Sequence, residues 1–242
     1  MMVDARRPVG QRLDEGEMRG GVPPGLRQRR RRGGDDERES RYRTRPGHRR
    51  TLRATYDRTV AYRVEPFGAA TQDDFRRLHS DANGAGWCRC VAWWVPTWDG
   101  WGERTAQENA TLRDELCESG EYDGLLAYDR RDPVGWCQLG PRDRLEKLVR
   151  QFALEPDPAT WAVSCFLVAP SHRGRGVASA LLDAAIERAR AEGAVHLEGY
   201  ARPGVTAADD AWTGPRRVFD TRGFRAVRNV AGRTIWTLAL TE

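Results

Sequence analysis

The stretch from Val168 to Leu182 constrains this chain more than any other. Trp161 to Val168 is an apolar run of strand length, and Pro170 stops it. Gly174 and Gly176 let the backbone turn sharply and leave its N–H groups uncovered. From Val177 to Arg190 the apolar residues Val177, Ala180, Leu181, Ala184 and Ala185 recur at helical spacing. The stretch therefore reads as a buried strand, a tight turn and an amphipathic helix. That helix opens with free N–H groups, the positive end of its dipole and two arginines, Arg173 and Arg175. Together these make a site for a phosphate or pyrophosphate. An ordinary solvated turn is the competing reading when the turn is taken alone. No Gly-Lys-Ser/Thr follows, so this is not a nucleoside-triphosphate P-loop, and the late position makes a poor dinucleotide fingerprint.

The rest of the chain supplies a sheet around that unit. Ala61–Pro66 alternates like a short strand. Thr71-Gln-Asp-Asp74 is a capping-box variant that opens a helix to about Ser80, and Thr105-Ala-Gln-Glu108 is a second box, opening a helix that stops at Gly120. Gly124–Tyr128 and Val134–Leu139 flank a turn and form a hairpin. Pro141 to Phe152 is amphipathic and reads as a helix. Beyond the helix stop at Gly193, Ala194–Ala201 is a strand, so the opening unit continues as a parallel βαβ crossover. A short helix over Gly214–Arg222, a strand from Gly223, a turn at Val230–Arg233 and a last strand over Ile235–Leu240 complete the order. The fold class is α/β (α+β): a mixed, mostly antiparallel sheet with one parallel crossover and helices on both faces.

Charge divides the chain in two. Residues 1–60 hold 17 arginines against 9 acids, whereas residues 61–242 hold 23 basic against 26 acidic side chains. The first segment has few large apolar residues and reads as a disordered Arg-rich tail, with the folded domain over residues 61–242. Arg29–Arg32 could grip nucleic acid, but no aromatic residues interleave there to stack on bases, so nucleic acid is not expected as a partner. Alternative starts at Val60 or Val64 would leave the tail outside the native chain. No apolar stretch approaches the roughly 20 residues of a membrane span, and no apolar signal core opens the chain. Five cysteines suit a reducing compartment better than a disulfide framework, so a cytoplasmic protein without a membrane partner is expected.

Five of the nine tryptophans fall between Trp87 and Trp101. Tryptophans this dense build either a local core or the wall of a pocket. Cys88 and Cys90 stand one residue apart, short of the usual zinc spacing, and no second pair follows, so no metal is expected.

The Arg173-x-x-Gly176-x-Ala178 turn, together with Val218-Phe-Asp-Thr-Arg-Gly-Phe224 and the element order, resembles the GNAT superfamily of N-acetyltransferases over about residues 61–242. The resemblance implies transfer of an acetyl group from acetyl-CoA to an amine of a small molecule or peptide. It places pyrophosphate binding on Arg173, Gly174, Arg175, Gly176, Val177, Ala178 and Ser179. It places the strand that pairs with the pantetheine arm and polarises the thioester on Cys165–Val168, hence the backbone of Phe166, Leu167 and Val168, and it implies a V-shaped gap between that strand and Val195–Tyr200. A non-catalytic acyl-CoA-binding module, a sensor or a partner-binding domain, is the alternative, and a homodimer is compatible with either.

Two positions depart from the family pattern: Phe219 stands where a proton-donating Tyr is often found, and Trp212 where an Asn is often found. Phe219 cannot donate a proton, but a thiol of pKa about 8.5 is already a tolerable leaving group. The chemistry still needs a neutral amine, and Glu198 as base with Tyr200 as replacement acid are the catalytic candidates, two apart on one strand face. His172, His196 and Asp209 stand behind them. Trp87, Trp93, Trp94 and Trp136 are the candidate acceptor wall, suited to an apolar or cationic molecule. Cys165 reads as a small buried strand residue, since direct attack by an amine needs no covalent intermediate.

Overall fold

A computed structural model of the chain describes residues 62–204 and 211–241, with the backbone alone at Arg89. The tail over residues 1–60 and the candidate Asp209 lie outside the described residues. The elements are β1 (Arg63–Pro66), α1 (Gln72–Leu78), α2 (Ala106–Glu118), β2 (Gly124–Asp129), β3 (Asp132–Pro141), α3 (Glu146–Gln151), β4 (Thr160–Val168), α4 (Val177–Ala191), β5 (His196–Ala201), α5 (Arg216–Asp220), β6 (Arg225–Val230) and β7 (Arg233–Ala239).

The strands form one seven-stranded sheet in the order β1-β2-β3-β4-β5-β7-β6. Only β4 and β5 run parallel, joined by the crossover through α4; the other neighbours are antiparallel. The class expected from sequence is the one observed. Strand alternation divides the apolar side chains between two faces. On one face Leu125, Ala127, Cys137, Leu139, Val163 and Leu197 pack under Leu181, Leu182 and Ala185 of α4. On the other, Leu126, Tyr128 and Trp136 pack under Phe75 and Leu78 of α1 and Leu116 of α2, while Ala162, Tyr200 and Ile235 pack under Leu148 and Phe152 around α3. Gly135 in β3 allows the close approach of α4: a Cβ there would lie 2.4 Å from Val177 Cγ1 and 3.1 Å from Leu181 Cδ1.

Local signals held where a hydrogen bond enforces them. At Thr105 the hydroxyl accepts the Glu108 N–H at 3.1 Å, and the Glu108 carboxylate accepts the Thr105 N–H at 2.6 Å, closing a capping box. At Thr71 the expected box does not form. Its hydroxyl donates back to the carbonyls of Pro66 and Gly68 and accepts the Gly68 N–H at 3.0 Å, so it closes the preceding turn instead. The helix expected over Pro141–Phe152 is also corrected. It breaks into a single 3-10 turn, Arg142–Arg144, and α3, because the Arg142 side chain is drawn inward to the carbonyl of Glu155 and to Glu198. Among the described residues no helix is long and apolar enough to cross a membrane.

Candidate active site at the parting of β4 and β5

β4 and β5 pair from Thr160 opposite His196 to Val163 opposite Gly199, and then part. The parting begins at a bulge: β3 pairs Gln138 with Cys165 and Leu139 with Val163, leaving Ser164 as the extra residue of β4. Beyond it the N–H of Phe166 turns away from β3 and is taken by the carbonyl of Trp212 at 2.6 Å. Strand alternation directs the Val168 N–H to the same side, while the intervening direction is used by Ala169, whose N–H reaches Val134 on β3 at 2.9 Å. The strand expected to polarise a thioester thus borders the gap, with one of its donors already engaged.

The side of the gap is packed with aromatic carbon. Phe219 on α5 is fully buried against Phe166 and Phe224, at ring-centre distances of 6.2 and 5.3 Å. A Cβ at Gly199 would lie 2.3 Å from Phe219 Cε1, and one at Gly214 would lie 2.7 Å from Cε2. The ring is therefore seated between two glycines.

At the end of β4 a 3-10 turn, Pro170–His172, leads into the glycine turn. Gly174 has φ 74° and Gly176 φ 90°, backbone that side-chain-bearing residues rarely adopt. Gly176 caps α4, and among the described residues no side chain caps the first N–H groups of the helix, those of Val177, Ala178 and Ser179 included. Arg173, Gly174, Arg175 and Gly176 are exposed, and Val177 is buried under β3. The Arg173 Nε donates to the carbonyl of Val168 at 3.3 Å, linking the turn to the gap-lining strand. The Arg175 carbonyl accepts the Tyr62 hydroxyl at 3.3 Å. His172 lies 3.1 Å from Asp129 and 2.9 Å from the Ser171 hydroxyl, so it anchors the turn to the hairpin.

Glu198 and Tyr200 do share a face, as their spacing implies, and they meet. The Tyr200 hydroxyl donates to Glu198 Oε2 at 2.6 Å, while Glu198 Oε1 stands 3.4 Å from Arg142 Nη1. Both are buried, and Tyr200 stacks on Phe152 at 5.3 Å. Burial, then the adjacent Glu198 carboxylate, pushes the Tyr200 phenol well above its usual range. His196 begins β5 opposite Thr160, at the end of the paired segment away from the parting.

The tryptophans separate into different settings. Trp136 and Trp93 are core rings, 0% and 1% exposed, which corrects their reading as an open wall. Trp136 stacks on Tyr122 at 5.6 Å, and Trp93 donates its Nε1 hydrogen to the carbonyl of Ser164 at 3.3 Å. Trp87 is half-buried, its Nε1 donating to the Arg104 carbonyl at 2.6 Å. Trp94 alone of the four borders an open groove of about 450 Å³, shared with Pro96, Arg104, Glu108, Leu112 and Glu115. It also borders a narrow recess with Gln138, Ala162 and Ser164. With the Gln138 amide oriented to satisfy its neighbours, its oxygen accepts the Trp94 Nε1 hydrogen at 2.7 Å and its NH₂ donates to Ser164 Oγ at 2.7 Å and Cys90 O at 3.2 Å. Sequence reasoning missed Gln138, Ser164 and Arg142. Their polar character was visible, but the bulge that brings Ser164 to Gln138 and the long-range contacts that draw Arg142 inward were not.

Comparisons with known proteins follow the same lines. Residues 87–210 match the model of the acetyltransferase (GNAT) family. No curated protein matches the chain. Solved structures similar in fold include the PaiA N-acetyltransferase of Thermoplasma acidophilum in complex with coenzyme A, at 11% identity over 73% of this chain and 99% of that one, TM-score 0.46. They also include a GCN5-related N-acetyltransferase from Kribbella flavida, at 19% identity over 74% and 98% of the two chains, TM-score 0.48. The ribosomal-protein-S18-alanine N-acetyltransferase of Escherichia coli is similar at 13% identity over 75% and 96%, TM-score 0.44.

Proposed function

The chain belongs to the GNAT family of acetyltransferases, and from that premise we propose that it moves an acetyl group from acetyl-CoA to an amine of a small molecule or peptide by direct attack. The observation that carries the donor half is the uncapped start of α4 behind two left-handed glycines, set at the end of the strand that parts from β5. The N–H groups of Gly174–Ser179, with Arg173 and Arg175, would hold the pyrophosphate. The backbone of Phe166, Leu167 and Val168 would pair with the pantetheine arm, and the gap-side N–H groups of Phe166 and Val168 would take the developing oxyanion.

The acceptor would approach along the groove beside Trp94. Glu108 and Glu115 border it together with the apolar faces of Trp94, Pro96 and Leu112, which favours a cationic amine carrying some apolar surface. Trp87 would steady the rim through its hydrogen bond to Arg104. Glu198 and Tyr200 act as one hydrogen-bonded unit in this reading: the carboxylate accepts the amine proton through water, and the phenol orients the carboxylate.

Calorimetry with acetyl-CoA and a thiol-release assay over a panel of amines test the proposal. Saturable binding with release for a cationic amine is expected, and both should vanish in the double variant Arg173→Ala, Gly176→Glu. Unchanged affinity in that variant would refute the assignment of the turn. Binding without release for every amine would identify an acyl-CoA-binding module.

A further inference from the structure

Behind the Trp-rich segment lies a buried cluster that the acetyl-transfer reading does not use. His79, the residue after α1, meets Cys88 and Cys90, and the ligand atoms of the three lie within 4.8 Å of one another. They are 3%, 8% and 0% exposed. A fourth soft side chain packs in the same core cluster as Cys88 and Cys90: Cys165 on β4, itself 1% exposed. We propose that His79, Cys88, Cys90 and Cys165 bind a structural zinc ion.

Four observations point to a cation. First, His79 Nδ1 lies 2.9 Å from the Phe75 carbonyl, so that nitrogen carries the hydrogen and donates it. The lone pair is then on Nε2, which is buried and has the Cys90 thiol as its polar neighbour. An imidazole fixed this way by a carbonyl is the usual arrangement of a metal-ligating histidine. Second, the cluster is close to the required size. Zn–S bonds of about 2.3 Å and Zn–N bonds of about 2.0 Å put tetrahedral ligand atoms roughly 3.5 Å apart, a contraction of about 1.3 Å at most from the 4.8 Å that encloses the His79, Cys88 and Cys90 atoms.

Third, Arg113 is buried at 6% exposure with its Nη1 3.7 Å from Cys90 Sγ, and among the described residues no carboxylate lies within ion-pair reach of it. Its guanidinium is always charged and needs a negative partner, which a neutral thiol does not supply. Three thiolates balance one zinc ion and one guanidinium. Fourth, the Tyr122 hydroxyl is also buried and faces Cys90, adding a polar group to the same spot. The reaction is balanced without any oxidant: three thiols release three protons as Zn²⁺ binds three thiolates and one neutral imidazole. Thiolate and imidazole donors select zinc among the common divalent ions that are redox-inert.

The spacing argument from sequence weighed only a second local cysteine pair. The two completing ligands come instead from the end of α1 and from the strand beside the gap. The metal would fix the start of the Trp-rich segment to β4 at Cys165, next to Phe166. The inference stands on the cluster alone and is independent of the acceptor.

The test uses the full chain, purified under reducing conditions. Elemental analysis should give one zinc per chain. Removal with a chelator and loading with Co²⁺ should produce tetrahedral d–d bands and a near-ultraviolet thiolate-to-cobalt charge-transfer band. Zinc should slow alkylation of three of the five cysteines. Cys90→Ser should lose stoichiometric zinc, with affinity down at least about a hundredfold, as should Cys165→Ser, while Cys117→Ser and Cys137→Ser keep it. Wild-type protein that binds neither zinc nor cobalt, with five cysteines alkylated at the same rates with and without zinc, would overturn the proposal. Should Cys90→Ser fail to fold, those wild-type measurements decide the matter alone. A cobalt spectrum unaltered in Cys165→Ser would overturn its assignment as a ligand.

Discussion

The carbonyl of Trp212 accepts the N–H of Phe166 at 2.6 Å, at the place where β4 and β5 have separated. A thioester carbonyl bound in the gap would compete for that donor. The Trp212 ring is held by Trp93 at 5.7 Å and by the Arg233 guanidinium at 5.2 Å, and this grip helps keep the carbonyl in place.

Trp212→Ala should therefore loosen the competitor. A neutral hydrogen bond contributes about 1 kcal/mol, so acetyl-CoA should bind up to about fivefold more tightly, while coenzyme A, which has no acetyl carbonyl, should be little changed. The ratio of the two dissociation constants measured by calorimetry reports the effect. An unaltered ratio would separate the Trp212 contact from donor recognition.

Phe219 raises the question of whether restoring a phenol would help. The ring is fully buried and seated close against the backbone of Gly199 and Gly214, so an added hydroxyl would enter a packed site. Phe219→Tyr should cost about 1–3 kcal/mol through overpacking and burial of an unpaired hydroxyl. Turnover should not rise. Denaturant unfolding and the thiol-release assay measure the two effects, and a stable, faster variant would show that the gap is wider than the structure makes it.

The strand–turn–helix at Val168–Leu182 was legible because each part depends on neighbours in sequence. Gly174 and Gly176 supply left-handed backbone at the positions where the turn needs it, and the Thr105 box closes within three residues. What escaped was long-range. Arg142 is pulled from a helix by Glu198, 56 residues away, and Trp93 is fixed by the Ser164 carbonyl, 71 residues away. The count of tryptophans could not divide core from wall, since Trp93 and Trp94 are adjacent in sequence yet only the second borders a groove. The Thr71 box failed for a local reason: its hydroxyl already accepts the N–H of Gly68 at 3.0 Å.

Glu198 and Tyr200 yield a prediction that distinguishes proton transfer from packing. General base catalysis is worth typically about 10²–10⁴-fold. Glu198→Gln keeps the size of the side chain and an acceptor for the Tyr200 hydroxyl, so it should lower kcat by about a hundredfold near neutral pH with little change in the affinity for acetyl-CoA. The loss should shrink at high pH, where more of the amine is already neutral. A flat ratio of variant to wild-type kcat across the pH range, with a lowered melting temperature, would mark the pair as structural.

Lys147, the one lysine of the chain, pins the Trp-rich segment to α3. Its ammonium donates to the carbonyls of Ala92 at 2.8 Å and Thr97 at 3.0 Å and lies 3.3 Å from the centre of the Trp98 ring. Lys147→Met removes two charged hydrogen bonds and a cation–π contact and should destabilise the fold by about 2–4 kcal/mol. Burial, with Arg150 adding to it, lowers the ammonium from 10.5 to about 8. Between those values the unfolded chain holds more protons than the folded one, so this group makes stability rise as pH increases through the interval. Below it, both states are protonated and the contribution is constant. Denaturant midpoints taken across this range should show an upward slope in the wild type relative to Lys147→Met, and parallel curves for the two proteins would remove Lys147 as its source.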